Sequence, residues 1–185
     1  MKVKSTSIKD VLLVTPETFE DSRGYFFESF NENEFSSIIG RSFSSVQDNQ
    51  SYSSLGTLRG IHFQSPPMSQ AKIVRVLDGE IYDVAVDLRK DSSTYCKWVG
   101  EYLSSENKQQ LYIPEGFGHA FVVTSKSATV LYKVNNYYSP RHEQSIKFDD
   151  PTLGIKWPDV PLNLSAKDSQ ADYIDSESSF FLPLF

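Results

Sequence analysis

The sequence predicts an all-β fold, an antiparallel barrel or sandwich with few helices. Three observations predict it. Side chains alternate with period two through the middle of the chain, as in IVRVLDGEIYDVAVDL from Ile73 to Leu88. Turn signals recur at the roughly 8–12-residue spacing of antiparallel sandwiches and barrels. Helix signals are sparse, and no internal repeat or linker divides the chain.

In chain order, NENEFSSII (Asn31–Ile39) reads as one short helix with Gly40 as its stop. Leu58–Gln64 reads as a strand ahead of the Pro-rich turn SPPMS. The run from Ile73 to Leu88 is broken at Asp78-Gly79, a hairpin signal. Beyond it, Tyr82, Val84, Val86 and Leu88 share one face, and Asp83, Ala85 and Asp87 share the other. Further strands are expected at Lys97–Leu103, Gln110–Ile113, His119–Thr124 and Ala128–Val134, separated by SSENK, PEGFG and TSKS. The tail from Asp149 is rich in Pro, Asp and Ser and suits short helical turns. The expected organisation is one domain over residues 1–185. It has a core barrel at about 45–150, an N-terminal arm (1–44) and a C-terminal tail (151–185).

Composition narrows the function. The chain has 185 residues, 18 Lys+Arg against 24 Asp+Glu, and a net charge of −6. An acidic balance argues against nonspecific binding to nucleic acid or to an anionic membrane. Cys96 is the single cysteine, which excludes an intrachain disulfide and a four-cysteine zinc site. MKVKSTSIKD carries two early lysines but no apolar stretch after them, so no signal peptide is expected. No apolar run approaches the ~18 residues of a membrane helix. The expectation is a cytoplasmic enzyme or binding protein.

Three histidines are present. His142, within SPRHEQ, reads as a solvated surface residue. His62 follows Arg59-Gly60-Ile61 in a strand, and His119 closes the turn PEGFGH. That Pro-x-Gly-x-x-His turn is similar to the second motif of cupins, small β-barrels of the jelly-roll type. Metal-binding cupins carry a His-x-His pair and a Glu in their first motif. Here Gln64 stands two residues after His62, and no Glu follows until Glu80. A 2-His-1-carboxylate site would lack an identified third ligand, so a metal-free barrel is expected. A histidine without a metal can move protons, more effectively when a carboxylate holds its other nitrogen. Asp48, Asp83, Asp87, Asp149, Asp150 and Asp168 are all candidates for that carboxylate. A tyrosine can return a proton. Tyr132 shares strand parity with Val130 and Val134, and by itself reads as a core tyrosine.

Seven segments, in order, carry a more specific signal. They are SRGYFFESFN (Ser22–Asn31), QDNQS (Gln47–Ser51), LRGIHFQ (Leu58–Gln64), AKIVRVLDGEIYDVAVDLRKDS (Ala71–Ser92), IPEGFGHAF (Ile113–Phe121), YKVNNYYSP (Tyr132–Pro140) and LSAKD (Leu164–Asp168). Together the chain resembles the dTDP-4-dehydrorhamnose 3,5-epimerases over about residues 8–170. The resemblance implies a cupin-like jelly roll, a homodimer and no metal or other cofactor. It also implies a dTDP-sugar substrate with a ketone at C4, epimerised at C3 and C5. Both carbons flank the ketone, so enolate formation acidifies their protons, and donors at the ketone oxygen stabilise the developing charge. Related readings on the same barrel are a single-site epimerase, a ketoisomerase, a metal-dependent cupin and a non-catalytic sugar-nucleotide binder.

Residue by residue, the resemblance implies His62 as general base, Asp168 as its carboxylate, Tyr132 as general acid and Lys72 as enolate stabiliser. It implies substrate binding by Arg23, Glu28, Gln47, Asp48, Asn49, Arg59, His119, Tyr138, Glu143 and Lys167. Arg23, Arg59 and Lys167 would supply the diphosphate contacts. One point of geometry stays open. Simple alternation puts Arg59 and His62 on opposite faces of their strand. Either the strand is irregular at Gly60, or Arg59 reaches the pocket by its length, or it serves a partner subunit.

Overall fold

The computed structural model describes residues 1–174. From sequence, the aromatic tail segment SSFFLPLF (178–185) suits either subunit contacts or a cap on the barrel; it lies outside the described residues. The elements are β1 (Lys2–Ser5), β2 (Leu12–Thr15), β3 (Thr18–Asp21), β4 (Gly24–Phe27), α1 (Glu32–Ile39), β5 (Gln47–Ser54), β6 (Thr57–Gln64) and β7 (Lys72–Asp78). They continue with β8 (Glu80–Asp87), β9 (Trp98–Ser104), β10 (Gln110–Ile113), β11 (Phe117–Val123), β12 (Ser127–Val134), β13 (Glu143–Ser145), β14 (Asn163–Leu164) and α2 (Ala166–Ser169).

Two sheets face each other. One runs β1-β2-β10-β7-β12-β5, and the other runs β13-β6-β11-β8-β9 with β14 joined to β6. This is a cupin-like jelly roll. The inner core lies between the sheets and includes Leu13, Val74, Val76, Ile81, Ala85, Val99, Leu111, Phe121 and Val130. Each sheet is also covered outside. Phe35 of α1, with Phe43, packs on Val14, Ile73 and Tyr112 of the first sheet. Ile146, Leu153, Ile155 and Trp157 of the C-terminal segment cover Val84, Val86 and Leu88 of the second. So the Val84-Val86-Leu88 face points to this outer layer, while Ala85 and Asp83 belong to the inner side. Burial of both faces explains why β8 is buried along nearly its whole length, Asp83 and Asp87 included.

The helix forms over Glu32–Ile39, with Gly40 as its stop as expected and Asn31 as its N-cap rather than its first residue. Asn31 accepts from the amides of Asn33 and Glu34, and Gly40 closes the last turn at φ 70. One expectation is corrected. Asp78-Gly79 is not a hairpin turn, because β7 pairs with β10 and β12 while β8 pairs with β9 and β11. The turn carries the chain from one sheet to the other. The glycine is still required there, at φ 79, because a Cβ would collide with the Ser127 carbonyl. The N-terminal region, expected as an arm, contributes β1, β2 and the separate β3–β4 hairpin.

Candidate active site

A cavity of about 500 Å³ opens between the two sheets. His62, Lys72, Tyr132 and Asp168 all line it, and so do Gln47, Asn49, Arg59, His119, Tyr138, Glu143 and Lys167. These residues come from strands, from α2 and from the loop after β12, far apart in sequence, and the topology of the barrel brings them together.

The strand geometry at Gly60 decides how Arg59 and His62 share this cavity. His62 pairs with His119, and Arg59 pairs with Phe121. Three steps along β6 therefore match two along β11, which is a bulge in β6. The extra residue reverses the parity, so side chains three apart point the same way. Gly60 sits there at φ 118, against the His119 carbonyl and Ala120. Of the three alternatives, the irregular strand is the one observed.

His62 Nε2 lies 2.6 Å from Asp168 Oδ1. An ionised carboxylate only accepts, so Nε2 carries a proton, and in the neutral ring the lone pair is on Nδ1. Asp168 is 3% exposed. Burial pushes its carboxyl pKa up, but the hydrogen bonds from His62 and Ser165 outweigh it and hold it below the usual value. Ser165 caps α2 by accepting from the Asp168 amide and donates its hydroxyl to Oδ2 at 2.8 Å. The parallel pairing of β14 with β6 sets this turn beside His62. Four of the other five candidate carboxylates are engaged elsewhere: Asp83 with His119 at 2.7 Å, Asp87 with Arg89, Ser92 and Thr94, Asp48 with Lys133, and Asp150 with backbone amides. Asp149 does not line the cavity.

Lys72 and His119 sit deep, each 7% exposed. Burial pulls the Lys72 ammonium down to about 8, against the opposing charges of Asp83 and Glu143. Burial also lowers His119, again opposed by Asp83. The Tyr132 ring lies 6.0 Å from Lys72 Nζ and 6.5 Å from the His119 ring. Burial raises its phenol, Arg59 opposes, and Glu143 adds to the rise, so the phenol holds its proton at neutral pH. Toward the mouth, Glu143 accepts from Lys167 Nζ at 2.7 Å and from Tyr138 Oη at 2.9 Å. Gln47 accepts from the Tyr138 amide.

Arg23, Glu28 and Asp48 are not brought to this cavity. Arg23 lies on the β3–β4 hairpin, paired with Asp21 at 2.6 Å. Glu28 is exposed just after β4. Asp48 alternates outward between Gln47 and Asn49 and pairs with Lys133. Sequence reasoning missed Ser51, Phe63, Gln64, Gln70, Phe121 and Ser165 as lining residues. Ser51 and Phe121 were findable, since each is two residues from a named one on the same strand. Gln64 occupies the second histidine position of a metal-binding cupin. Its amide donates to the Met68 and Tyr137 carbonyls and accepts from the Ser139 amide, tying down the loop that bears Tyr138. His142 lies outside the cavity, bonded to Ser139. Among the described residues no group of three or more His, Cys, Asp or Glu is arranged to hold a metal ion.

The model of the family described as dTDP-4-dehydrorhamnose 3,5-epimerase matches residues 5–176. The chain belongs to this family. The Salmonella typhimurium dTDP-4-dehydrorhamnose 3,5-epimerase is 52% identical over 176 residues, covering 95% of this chain and 96% of that one. A Legionella pneumophila dTDP-6-deoxy-D-glucose-3,5-epimerase, solved in complex with dTDP-4-keto-L-rhamnose, superposes with a TM-score of 0.94 at 42% identity. It covers 100% of this chain and 98% of that one. The Elizabethkingia anophelis epimerase structure gives 0.89 at 46% identity, covering 94% and 96%. The epimerase family thus spans both sheets and every element of the cavity.

Proposed function

We propose that the protein converts dTDP-4-dehydro-6-deoxy-D-glucose to dTDP-4-dehydro-L-rhamnose by inverting C3 and C5. The observation that carries this reading is one cavity holding an imidazole–carboxylate pair, a phenol and a buried ammonium. His62 Nδ1 takes the proton from the carbon beside the ketone. Asp168 stabilises the imidazolium that results. Lys72 stabilises the negative charge developing on the ketone oxygen. Tyr132, protonated at neutral pH, returns a proton from the opposite face of the sugar. The depth gradient supports the orientation of the substrate. Lys72 and His119 are buried at the sugar end, while Arg59, Tyr138 and Lys167 are exposed at the mouth, where they suit the diphosphate and the base.

The functional unit in this reading is a homodimer, working in the cytoplasm. The β3–β4 hairpin supports it, exposing Phe19, Tyr25 and Phe26 at 59%, 59% and 69% around Arg23. A second copy's hairpin, laid at the mouth of the cavity, supplies the Arg23 and Glu28 that the chain's own cavity lacks. Mixing Arg23→Ala and His62→Ala subunits then restores part of the activity, because one site of each mixed dimer carries neither defect. Among the described residues no helix is long and apolar enough to cross a membrane.

The test of the reaction is incubation with the 4-keto substrate in deuterated water. Deuterium is expected at both C3 and C5, and His62→Ala abolishes it at both. Exchange at neither carbon refutes the function, and undiminished exchange in the His62 variant refutes the base.

A further inference from the structure

Asp83 has no place among the residues that touch the cavity, yet it is a fully buried charge bonded to one that does, His119. It sits on β8 at 0% exposure, in register with Phe121 of β11. Its Oδ1 accepts from His119 Nε2 at 2.7 Å. Its Oδ2 is buried with no hydrogen-bond partner. A buried carboxylate oxygen left without a donor is costly, and such a group persists where its charge has a use.

We propose that Asp83 is a positioning residue for the reaction, a shared buried counter-charge that keeps Lys72 protonated and fixes the ring of His119. The inference rests on the epimerase reading of the cavity. Two arguments lead to it. A carboxylate accepting at Nε2 leaves Nδ1 as the one His119 nitrogen available to a ligand, so the tautomer is set from behind. An ammonium with 7% exposure is disfavoured by desolvation and needs compensating negative charge. The groups acting on Lys72 are Asp83 from β8 and Glu143 from β13, with Tyr132 of β12 and His119 of β11 beside it. Glu143 is already paired with Lys167 and Tyr138, whereas Oδ2 of Asp83 has no other claim on it. The direction of the Lys72 shift agrees, since burial depresses it and Asp83 is the foremost opposing charge.

The sign of the effect follows. Removing the negative charge lowers the Lys72 pKa further, so the oxyanion donor loses its proton at a lower pH. The alkaline limb of the exchange reaction should move to lower pH by about one unit or more. The experiment follows the side chain and the rate separately. Lysine carrying ¹³C at Cε is incorporated, the Lys72 resonance is assigned by its absence in Lys72→Met, and its titration is followed in wild type, Asp83→Asn and Asp83→Glu. Deuterium incorporation is measured over the same pH range. The Lys72 midpoint and the alkaline limb are expected to fall together in Asp83→Asn and to return toward wild type in Asp83→Glu. Asp83→Ser replaces the amide variant if that one does not fold. A folded, uncharged variant whose Lys72 midpoint and alkaline limb stay at the wild-type values overturns the inference. Absence of exchange in the wild type itself refutes the epimerase reading instead, and the NMR titration still reports on Asp83.

Discussion

Replacing Gly60 with alanine tests how the fold builds the site. The residue holds φ 118, where a side chain is strained by about 1–3 kcal/mol. An added Cβ would also stand 2.5 Å from the His119 carbonyl oxygen and 2.6 Å from Ala120 Cβ. The oxygen is backbone and both neighbours lie in a buried strand, so relief requires β6 and β11 to move apart. Overpacking of this kind costs about 1–3 kcal/mol more. The total of about 2–6 kcal/mol corresponds to a fall in Tm of roughly 5–20 °C for a chain of this size. The same movement disturbs the bulge that turns Arg59 and His62 to one face. Exchange at C3 and C5 should therefore fall by about 100-fold or more, since a displacement near 1 Å is enough for that. Gly40→Ala is the control. It lies at φ 70 with nothing within 4 Å of the added carbon, so it should cost about 1–2 kcal/mol and leave exchange intact. Thermal unfolding and deuterium incorporation are measured on both. Gly60→Ala with wild-type Tm and wild-type exchange would refute the argument.

Three further outcomes follow from the site. Asp168→Asn keeps the shape but can donate to Nε2, moving the imidazole proton to Nδ1, so exchange at both carbons should drop by about 10²–10⁴-fold; equal rates would reject the pairing role. Tyr132→Phe should lower incorporation at C5 more than at C3, read by NMR of the product, because a second proton source can serve C3; equal loss at both carbons counts against the assignment. The Asp168 carboxyl lies below its ordinary 3.8 in the folded protein, so its contribution to stability is complete above that value and disappears as pH falls through the folded value. Denaturant unfolding of wild type and Asp168→Asn should thus converge as pH drops below about 4, and a constant gap down to pH 2 would contradict the linkage.

Much of the fold was legible because its signals are local. The cap residues Asn31 and Gly40 act within one turn, and the alternation in β8 and β12 reports faces directly. The Asp78-Gly79 turn departs from its hairpin signal for the same reason. Its dipeptide specifies a left-handed glycine, but whether the next strand pairs with the last or crosses to the facing sheet depends on contacts with β10, β11 and β12. The site residues named by resemblance largely converge. Arg23, Glu28 and Asp48 do not, since residue type and order leave open which cavity, or which subunit's cavity, a side chain faces.

By itself the sequence determined the class of fold, the helix and its stop, and the inventory of acid, base and cation that proton chemistry requires. These depend on residue type and on spacings of two to four. Tertiary structure alone decided which aspartate serves which histidine, because six carboxylates are chemically equivalent until burial and distance separate them. It put Asp168 on His62 and Asp83 on His119. It also decided that Arg59 and His62 share a face, since the bulge at Gly60 exists only as a register between two strands.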